Sequence, residues 1–395
     1  MSNKVVVAGV GMIPFSKPGA SPSYIDMGAD AVRLALKDAG LDYAKVQMAF
    51  AGYVYGDTTC GQAVLYRIGR SAIPVFNVNN ACASGSSALF LARQAVQSGA
   101  VECALAVGFE QMQPGATRSN FPDRPLPRAD YLPIQDQLCA DAGDIPRNLI
   151  TFGGAGREHM RKYGTKMETF AAIRAKASRH AANNPLALFR KVVSTEEVMN
   201  DTLMWPGVMT RMMACPPTCG AAATVLCTEA FARRHGLRTD VAILAQAMTT
   251  DPVESFEPQT MIGFVGAHMS QQAAQAVYEQ AGVGPRDIGV VELHDCFAHN
   301  ELLTYESLGL CAEGTAEQFV LEGDNTYGGR VVTNPSGGLL CKGHPLGATG
   351  LAQCYELTHQ LRGTADARQV DDARLALQHN LGLGGACVVT LYGRN

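Results

Sequence analysis

The sequence predicts an α/β fold made of two similar halves with an inserted loop domain. Three observations lead to it: strand-like and helical segments alternate, their order recurs late in the chain, and a long Pro- and Arg-rich stretch interrupts the first half. Hydrophobic residues make up 47% of the chain and charged residues 17%, as is typical of α/β proteins whose central strands are covered on both faces. Because a single hydrophobic core stops growing at roughly 250–300 residues, a chain of 395 residues is expected to form two cores.

The first repeated unit is a helix followed by a strand. Ile25–Gly40 has one apolar face and ends at a glycine, and the strand-like Val46–Gly52 follows. Downstream, Gln271–Gly282 again predicts a helix that ends at a glycine, and the strand Ile288–Leu293 follows it. Strands that alternate with helices predict parallel sheets with right-handed crossovers.

The second repeated unit is a strand followed by a turn and a helix. Pro74–Asn79 predicts a strand that leads into the helix Ser84–Ser98. In the second half, Arg330–Thr333 leads through Asn334–Gly338 to a helix from about Gly347. Each half then ends in a hydrophobic strand, Ala221–Thr228 and Ala386–Tyr392. The chain therefore predicts a duplicated fold.

The predicted halves are residues 1–113 with 211–255 and residues 256–395, and residues 114–210 form the inserted loop domain. The insertion is rich in Pro, Arg, Met and His, and it predicts helices at Gly154–Tyr163 and Lys166–Asn183. Long excursions of this kind are commonly lids or substrate-binding subdomains. An insertion that serves only oligomer contacts would have the same appearance.

Composition excludes several function classes. A net charge of −4 gives no electrostatic case for nucleic acid, and no run of ~18 apolar residues predicts a membrane span. No secretory signal is apparent, and Tyr392–Asn395 is not a peroxisomal Ser-Lys-Leu address. Twelve scattered cysteines in such a chain predict reduced thiols and a cytoplasmic protein.

A cysteine at the start of a predicted helix is the most informative feature. Cys82 stands among small residues where the strand Pro74–Asn79 ends and the helix Ser84–Ser98 begins. The free N–H groups and the dipole of a helix N-terminus stabilise a thiolate and lower its pKa, and they can hydrogen-bond a developing oxyanion. A small cysteine that merely packs is the alternative.

Two segments of the second half supply candidate partners. His294, Asp295 and Cys296 directly follow the strand Ile288–Leu293, and catalytic groups collect at strand ends in α/β sheets. His344 lies on a Gly- and Pro-rich turn before a helix. A lone histidine is more often structural, but two histidines in loops that each follow a strand favour a functional site.

A third segment of the second half, Asn380–Ala386, is a glycine-rich turn between two predicted strands. Its glycines would let bare backbone N–H groups line a site, as in many oxyanion holes. A tight turn or a bulge would explain the same glycines.

Together these segments resemble thiolases of the sterol-carrier-protein type over nearly the full chain. The resemblance rests on Asn79–Leu89, on His294–Phe297, which replaces the Asn-Glu-Ala-Phe of ordinary thiolases, and on Gly343–Pro345. Gly323–Gly329 and Asn334–Gln353 also match. The resemblance implies a duplicated thiolase fold and an acyl-CoA C-acyltransferase that cleaves or forms carbon–carbon bonds in 3-ketoacyl-CoA thioesters.

The resemblance also implies roles for the site residues. Cys82 would be the acylated nucleophile, and His344 would assist its deprotonation and help bind the thioester oxygen. His294 stands where an asparagine supports this first oxyanion hole. The backbone N–H groups of Cys82 and Gly384 would form the second one. No metal and no permanently bound cofactor is expected, and coenzyme A enters as a substrate.

Departures from the ordinary thiolase pattern concern cysteines. Ordinary thiolases carry an acid/base cysteine in a C-terminal Cys-x-Gly motif, whereas Gly382 stands at that position here, and Cys296 is the implied substitute. Cys387 falls within a hydrophobic strand and is expected in the core. Cys219 replaces an aspartate, and with Cys215 it lacks the second ligand pair of a zinc site.

Two other functions share part of this pattern. Decarboxylating condensing enzymes need no second acid/base cysteine, so Cys296 argues for a thiolase. Partner-dependent steroid side-chain aldolases or lipid-binding homologues would not need Cys82, Cys296 and His344 together. The expected partners are acyl-CoA and CoA, and a homodimer or homotetramer is the expected assembly. The candidates to contact the CoA phosphates are Arg118, Arg124, Arg128, Arg147, Arg157, Arg161 and Lys162.

Overall fold

A ten-stranded sheet forms the centre of the computed structural model, which describes residues 3–115, 119 and 121–395. A separate two-stranded ribbon, β5–β6, lies in the insertion. The strands are β1 Val5–Met12, β2 Met48–Gly52, β3 Val75–Val78, β4 Cys103–Glu110, β5 Leu203–Trp205, β6 Met209–Thr210, β7 Gly220–Thr228, β8 Val241–Thr249, β9 Val290–Glu292, β10 Val332–Thr333, β11 Leu375–Gly382 and β12 Ala386–Arg394.

Helices precede, connect and cover these strands. They are α1 Tyr24–Ala39, α2 Cys60–Leu65, α3 Ser84–Gln97, α4 Leu132–Leu138, α5 Arg147–Tyr163, α6 Met167–Ala182, α7 Thr195–Met199, α8 Glu229–His235, α9 Met261–Phe264, α10 Ala267–Ala281, α11 Ala298–Ser307, α12 Ala316–Leu321 and α13 Thr349–Arg362. A short π-helix spans Gly338–Lys342.

The strand order demonstrates the duplication. Across the sheet it is β10-β9-β11-β12-β8-β1-β7-β4-β2-β3. Taken in chain order, the five strands of each half occupy the same relative places, with β1 matching β8 and β7 matching β12. The halves meet where Val6 of β1 pairs with Ala242 of β8. The predicted duplicated α/β fold is therefore confirmed.

The prediction of parallel sheets holds only for part of the sheet. β2 runs parallel to β3 and β4, and β9 runs parallel to β10 and β11. β7 and β12 run antiparallel to both of their neighbours. The reason is the connection: β11 returns into β12 through a turn at residues 383–385, without a crossover helix. In the first half, residues 111–219 occupy the place of that turn.

Strand membership moves the boundary between the halves. We predicted that the first half includes residues 211–255, but β8 pairs with β12 and stands where β1 stands in the first half. The second half therefore begins before Val241. In the insertion, α5 starts at Arg147, earlier than predicted, and α6 lies within its predicted range.

The helices α3 and α13 pack against each other at their N-terminal ends. An added Cβ at Gly85 would lie 2.5 Å from the carbonyl oxygen of Gly347, and one at Gly350 would lie 2.1 Å from Ser86 Oγ. Only glycine permits so close an approach at these points. The crossing brings the loop that precedes α3, from the first half, beside the loop that precedes α13, from the second.

The two edges of the sheet differ. β10 is buried, whereas β3 is partly exposed and leaves 49% of Phe76 open to solvent. Phe76 stacks on Phe50, with ring centroids 5.2 Å apart. The open edge of the sheet is therefore β3.

Among the described residues, no helix combines the length and apolarity that a bilayer crossing requires.

Candidate active site

Cys82 lies in a tightly bonded turn between β3 and α3. Ala81 has φ +47°, in the left-handed region. The N–H of Asn80 donates to Ser84 Oγ at 2.9 Å, the Ser84 hydroxyl donates to the Ala81 carbonyl at 2.7 Å, and the Asn80 amide donates to Ser87 Oγ at 2.9 Å. These bonds hold Cys82, which is partly exposed, at the mouth of the helix.

The pKa of Cys82 differs from our expectation. Burial raises the pKa of this thiol to about 12, although hydrogen bonds from the Leu383 backbone and from its own backbone, together with the Arg128 charge, act to lower it. The expected lowering by the helix N-terminus is therefore wrong, because desolvation outweighs it. Cys82 is a neutral thiol that needs a base.

His344 has the environment of such a base. Its Nδ1 lies 2.7 Å from Thr349 Oγ1, and its backbone N–H donates to Thr218 Oγ1 at 3.1 Å. Within the described part of the chain, its buried Nε2 has no hydrogen-bond partner. Burial, with the charge of Lys342, lowers the pKa of His344 to about 3. The ring is therefore neutral at physiological pH.

His294 faces His344 from the segment after β9. The two ring centroids lie 5.0 Å apart, with the rings at 82°. The Asn300 side chain donates to the His294 carbonyl at 2.6 Å, and Asn380 Nδ2 lies 3.0 Å from His294 Nδ1. One ring nitrogen of each histidine and Cys82 Sγ all lie within 4.8 Å of one another. Three of the predicted site residues thus form one cluster.

Cys296 lies beside this cluster and is buried. Burial, then the nearby Cys215 and Cys82 thiols, hold the pKa of Cys296 well above its usual value, so the thiol is protonated. The Cys215 N–H donates to the Cys296 carbonyl at 2.9 Å, and Ala214 bridges Phe297. The structure therefore adds a third cysteine, Cys215, that we had considered only as part of a zinc motif.

Asp295 belongs to the same motif, and its side chain bonds the backbone of the π-helix. Its carboxylate accepts hydrogen bonds from Leu339 N at 2.7 Å and Leu340 N at 3.3 Å, at the start of the π-helix. An added Cβ at Gly338 would lie 2.1 Å from this carboxylate. Asp295 therefore anchors the segment that leads to His344.

The glycine-rich turn lies beside Cys82, since the Leu383 backbone hydrogen-bonds that thiol. Gly384 has φ +113° and Gly385 has φ +103°, conformations that favour glycine. Gly384 contributes to a small cavity together with Arg128 and Asp251. Aromatic rings line the same cavity: Tyr131 stacks on Phe256 with centroids 4.7 Å apart, and Phe264 lies tilted against both.

Three further positions at which this chain departs from, or was compared with, the cysteine pattern of ordinary thiolases have defined surroundings. An added Cβ at Gly382 would lie 2.2 Å from the Asn80 carbonyl oxygen, so this position has no room for the cysteine of ordinary thiolases. Cys387 is fully buried in β12, which confirms its place in the core. Cys219 is buried and pairs with Ser16 in an isolated bridge, which anchors the start of β7.

The basic residues of the insertion have different surroundings. Arg118 lies outside the described residues. Arg128 faces the site, since its charge acts on Cys82 and Asp251. The others pair with carboxylates, and these pairs are Arg124–Asp123, Arg147–Asp136, Arg157–Asp141, Arg161–Asp141 and Lys162–Glu313. Their contact with CoA phosphates stays a prediction.

Two family models match the chain. A family model described as the N-terminal domain of thiolase matches residues 5–204, and one described as thiolase C-terminal domain-like matches residues 258–392. The chain belongs to the thiolase family. The chain is 52% identical to sterol carrier protein 2 of Oryctolagus cuniculus over 98% of its own length and 72% of that protein. It is 31% identical to the benzoylsuccinyl-CoA thiolase subunit BbsB of Thauera aromatica, covering 98% and 96% of the two chains.

Solved structures share the fold of this thiolase. The Ltp2-ChsH2(DUF35) aldolase superimposes with a TM-score of 0.83 at 24% identity, covering 99% of this chain and 98% of that chain. Human mitochondrial 3-ketoacyl-CoA thiolase in complex with CoA gives 0.74 at 18% identity, covering 100% and 99%. At these identities the likeness establishes the fold alone.

Proposed function

We propose that this thiolase is an acyl-CoA C-acyltransferase that cleaves 3-ketoacyl-CoA with CoA through an acyl-enzyme on Cys82. The observation that carries the proposal is the cluster itself. A thiol and two imidazole nitrogens lie within 4.8 Å of one another, and the protonated thiol of Cys296 lies beside them. Thiolysis needs these groups: a nucleophile, a base, an oxyanion donor and an acid.

In the first half-reaction, the Cys82 proton moves to His344 Nε2 and the sulfur attacks the 3-keto carbon. The backbone N–H groups of Cys82 and Gly384 stabilise the resulting alkoxide. The carbon–carbon bond then breaks, and its electron pair goes to the acetyl-CoA enolate. His294 and the protonated His344 hold the enolate oxygen, and the Cys296 thiol gives its proton to the carbon.

In the second half-reaction, CoA takes the acyl group from Cys82. The CoA thiol loses its proton to the Cys296 thiolate, and its sulfur attacks the thioester carbonyl. Collapse of the tetrahedral intermediate releases acyl-CoA, and the Cys82 sulfur recovers a proton from His344. Run in reverse, the same steps perform a Claisen condensation, and the two half-reactions give ping-pong kinetics.

The test is CoA-dependent loss of the 3-ketoacyl-CoA enolate absorbance over a series of acyl chain lengths. The variants Cys82→Ala and Cys296→Ala should both lose this activity. With acetyl-CoA as donor, only Cys296→Ala should still form a covalent acyl-enzyme, detected by intact-protein mass spectrometry. Cys311→Ala, partly buried but away from the cluster, is the matched control and should keep wild-type rates. A wild type that binds acyl-CoA but cleaves no chain length would refute thiolysis.

A partner-dependent aldolase is the second candidate, because the Ltp2-ChsH2(DUF35) aldolase shows that this fold also occurs in an aldolase. An aldol cleavage forms no acyl-enzyme and consumes no CoA thiol. The discriminating measurement is cleavage of a 3-hydroxyacyl-CoA thioester with free CoA left out. Turnover under those conditions that survives Cys82→Ala would support the aldolase over the thiolase.

We propose a homodimer as the assembly and the cytoplasm as the location. The dimer would pair the open edge strand β3 with its copy, since the half-exposed Phe76 lies on that edge and unpaired edge strands are templates for pairing. Light scattering after size-exclusion chromatography should give a dimer for the wild type and a smaller species for Phe76→Lys. Imaging a tagged full chain in its own cell would test the location.

A further inference from the structure

A chain of five buried side chains leads from the core to His294. The Tyr392 hydroxyl donates to Gln378 Oε1, and Gln378 Nε2 donates to Ser86 Oγ at 2.8 Å. Ser86 Oγ lies 2.8 Å from Asn380 Oδ1, and Asn380 Nδ2 lies 3.0 Å from His294 Nδ1. All five are at most 1% exposed. The mechanism above uses only the last of them.

A backbone carbonyl fixes the orientation of the Gln378 amide, the second member of this series. Gln378 Nε2 also donates to the Gly350 carbonyl at 2.8 Å, and a carbonyl can only accept, so this amide nitrogen is placed without ambiguity. Ser86 Oγ then receives a hydrogen from Gln378 and sends its own to Asn380 Oδ1. The NH₂ group of Asn380 must therefore face His294 Nδ1, which accepts. His294 consequently carries its proton on Nε2.

His344 is held in the opposite tautomer. The Thr349 hydroxyl donates to the Pro345 carbonyl at 3.0 Å and so has no second proton for His344 Nδ1, 2.7 Å away. Nδ1 of His344 therefore donates, and its Nε2 is a bare lone pair. The two imidazoles present different groups to the site, an N–H from His294 and a base from His344.

We propose that Asn380 is a positioning residue that keeps His294 in the Nε2–H tautomer, so that this ring donates to the substrate oxygen before any proton has moved. The proposal rests on the thiolysis proposed above. It also bears on metals, because a ring nitrogen that carries a proton offers no lone pair to an ion. The Cys82–His294–His344 cluster is then a hydrogen-bonding site even though its atoms are close enough for a metal.

The direct test is nitrogen NMR of the full-length protein labelled with ¹⁵N-histidine. The chain has nine histidines, and the variants His294→Gln and His344→Gln identify the two signals of interest. Long-range proton–nitrogen correlations should show Nε2–H for His294 and Nδ1–H for His344 between pH 6 and 8. An Nδ1–H tautomer at His294 would overturn the proposal, and the thiolysis assay would be unaffected by that result.

The kinetic test uses Asn380→Asp, whose carboxylate accepts hydrogen bonds and so favours Nδ1–H on His294. We expect kcat to fall about 10²-fold or more, the usual cost of one oxyanion donor, with KM changed less than about threefold. The matched background is His294→Asn, because an amide donor has no tautomer to set. In the His294→Asn background, Asn380→Asp should lower kcat less than about fivefold. An equal loss in both backgrounds would mean general damage and would refute the positioning role.

Discussion

Glu110 and Gly347 join the two halves of the chain: the Glu110 carboxylate, at the end of β4, accepts a hydrogen bond from the Gly347 N–H at 2.9 Å. The same carboxylate accepts from the N–H groups of Val54 at 3.1 Å and Tyr55 at 2.8 Å. Gly347 follows His344 by three residues, so this buried acid positions the loop that carries the proposed base.

Glu110 should make the stability of the protein depend on pH. Burial raises its pKa to about 7, against hydrogen bonds that lower it, so the folded state holds a proton that the unfolded state has lost. Its stabilising contribution is therefore complete below about pH 4.5 and disappears as the pH rises through 7, by up to about 3 kcal/mol. In Glu110→Gln this loss should be absent. Urea unfolding from pH 5 to 8 gives the free energy of unfolding of both proteins. The same pH dependence in the wild type and in Glu110→Gln would contradict the prediction.

The reactivity of Cys82 should report its high pKa and the charge of Arg128. Alkylation of Cys82 by iodoacetamide, followed by peptide mass spectrometry, should accelerate from pH 7 to 10 without a plateau, since burial raises the pKa to about 12. Arg128→Gln removes a charge that lowers this pKa and should slow the reaction about three- to tenfold. Arg124→Gln, which removes an exposed arginine paired with Asp123, should change nothing. A plateau of the alkylation rate near pH 8 would mean that Cys82 is already a thiolate at that pH, which would contradict its high pKa.

The acid/base cysteine of ordinary thiolases should not be transplantable into this chain. At Gly382 a Cβ would lie 2.2 Å from the Asn80 carbonyl oxygen and 3.1 Å from the Ala83 side chain. Gly382→Cys in a Cys296→Ala background should therefore stay inactive and lose about 1–3 kcal/mol of stability. At Gly289 an added Cβ meets nothing within 4 Å, so Gly289→Cys should melt like the wild type. Recovered thiolysis in the double variant would contradict the steric argument.

A buried ion pair ties the insertion to the helix after the His294–Phe297 motif. Lys176 of α6 pairs with Glu301 of α11, and its Nζ donates to Thr333 Oγ1 at 2.7 Å. Lys176→Met leaves the Glu301 carboxylate buried without its cation and should cost about 3–5 kcal/mol. Lys191→Met, whose side chain is exposed, should cost less than about 0.5 kcal/mol.

Chemical denaturation, read as the free energy of unfolding, checks this pair. Adding Glu301→Gln to Lys176→Met should recover part of the loss, because no charge is then stranded. Additive losses in the double variant would instead indicate that the two side chains do not act as a pair.

Periodicity located several helices and strands within a few residues because it reports which faces of each element are buried, but it placed the start of α5 seven residues too late. α1, α3 and α6 match their predictions closely at both ends. The resemblance brought together the residues that the structure also brings together, Cys82, His294, Cys296 and His344, although their catalytic roles stay predictions. Periodicity and the family resemblance both depend on short segments of sequence, and these features can be recognised in such segments.

What the sequence could not predict depends on contacts between distant segments. Glu110 is one polar residue at a strand end, and only the fold places Gly347, 237 residues away, within its reach. Asn380 lies in the predicted glycine-rich turn, but that prediction was based on the glycines of the segment. Nothing in the neighbouring sequence indicates what the Asn380 amide would contact. Burial likewise reversed the expected pKa shift of Cys82, since the depth of a loop follows from packing.

The strand order gives each position of the candidate site a counterpart in the other half. Cys82, two residues before α3, corresponds to Gly347, two residues before α13, and the segment after β9 corresponds to Tyr53–Tyr55 after β2. Gly382, the last residue of β11, corresponds to Glu110. The Glu110 hydrogen bonds therefore join the counterparts of the nucleophile loop and of the His294–Phe297 segment. The place in the first half that corresponds to the candidate site is therefore closed by three hydrogen bonds to one buried side chain.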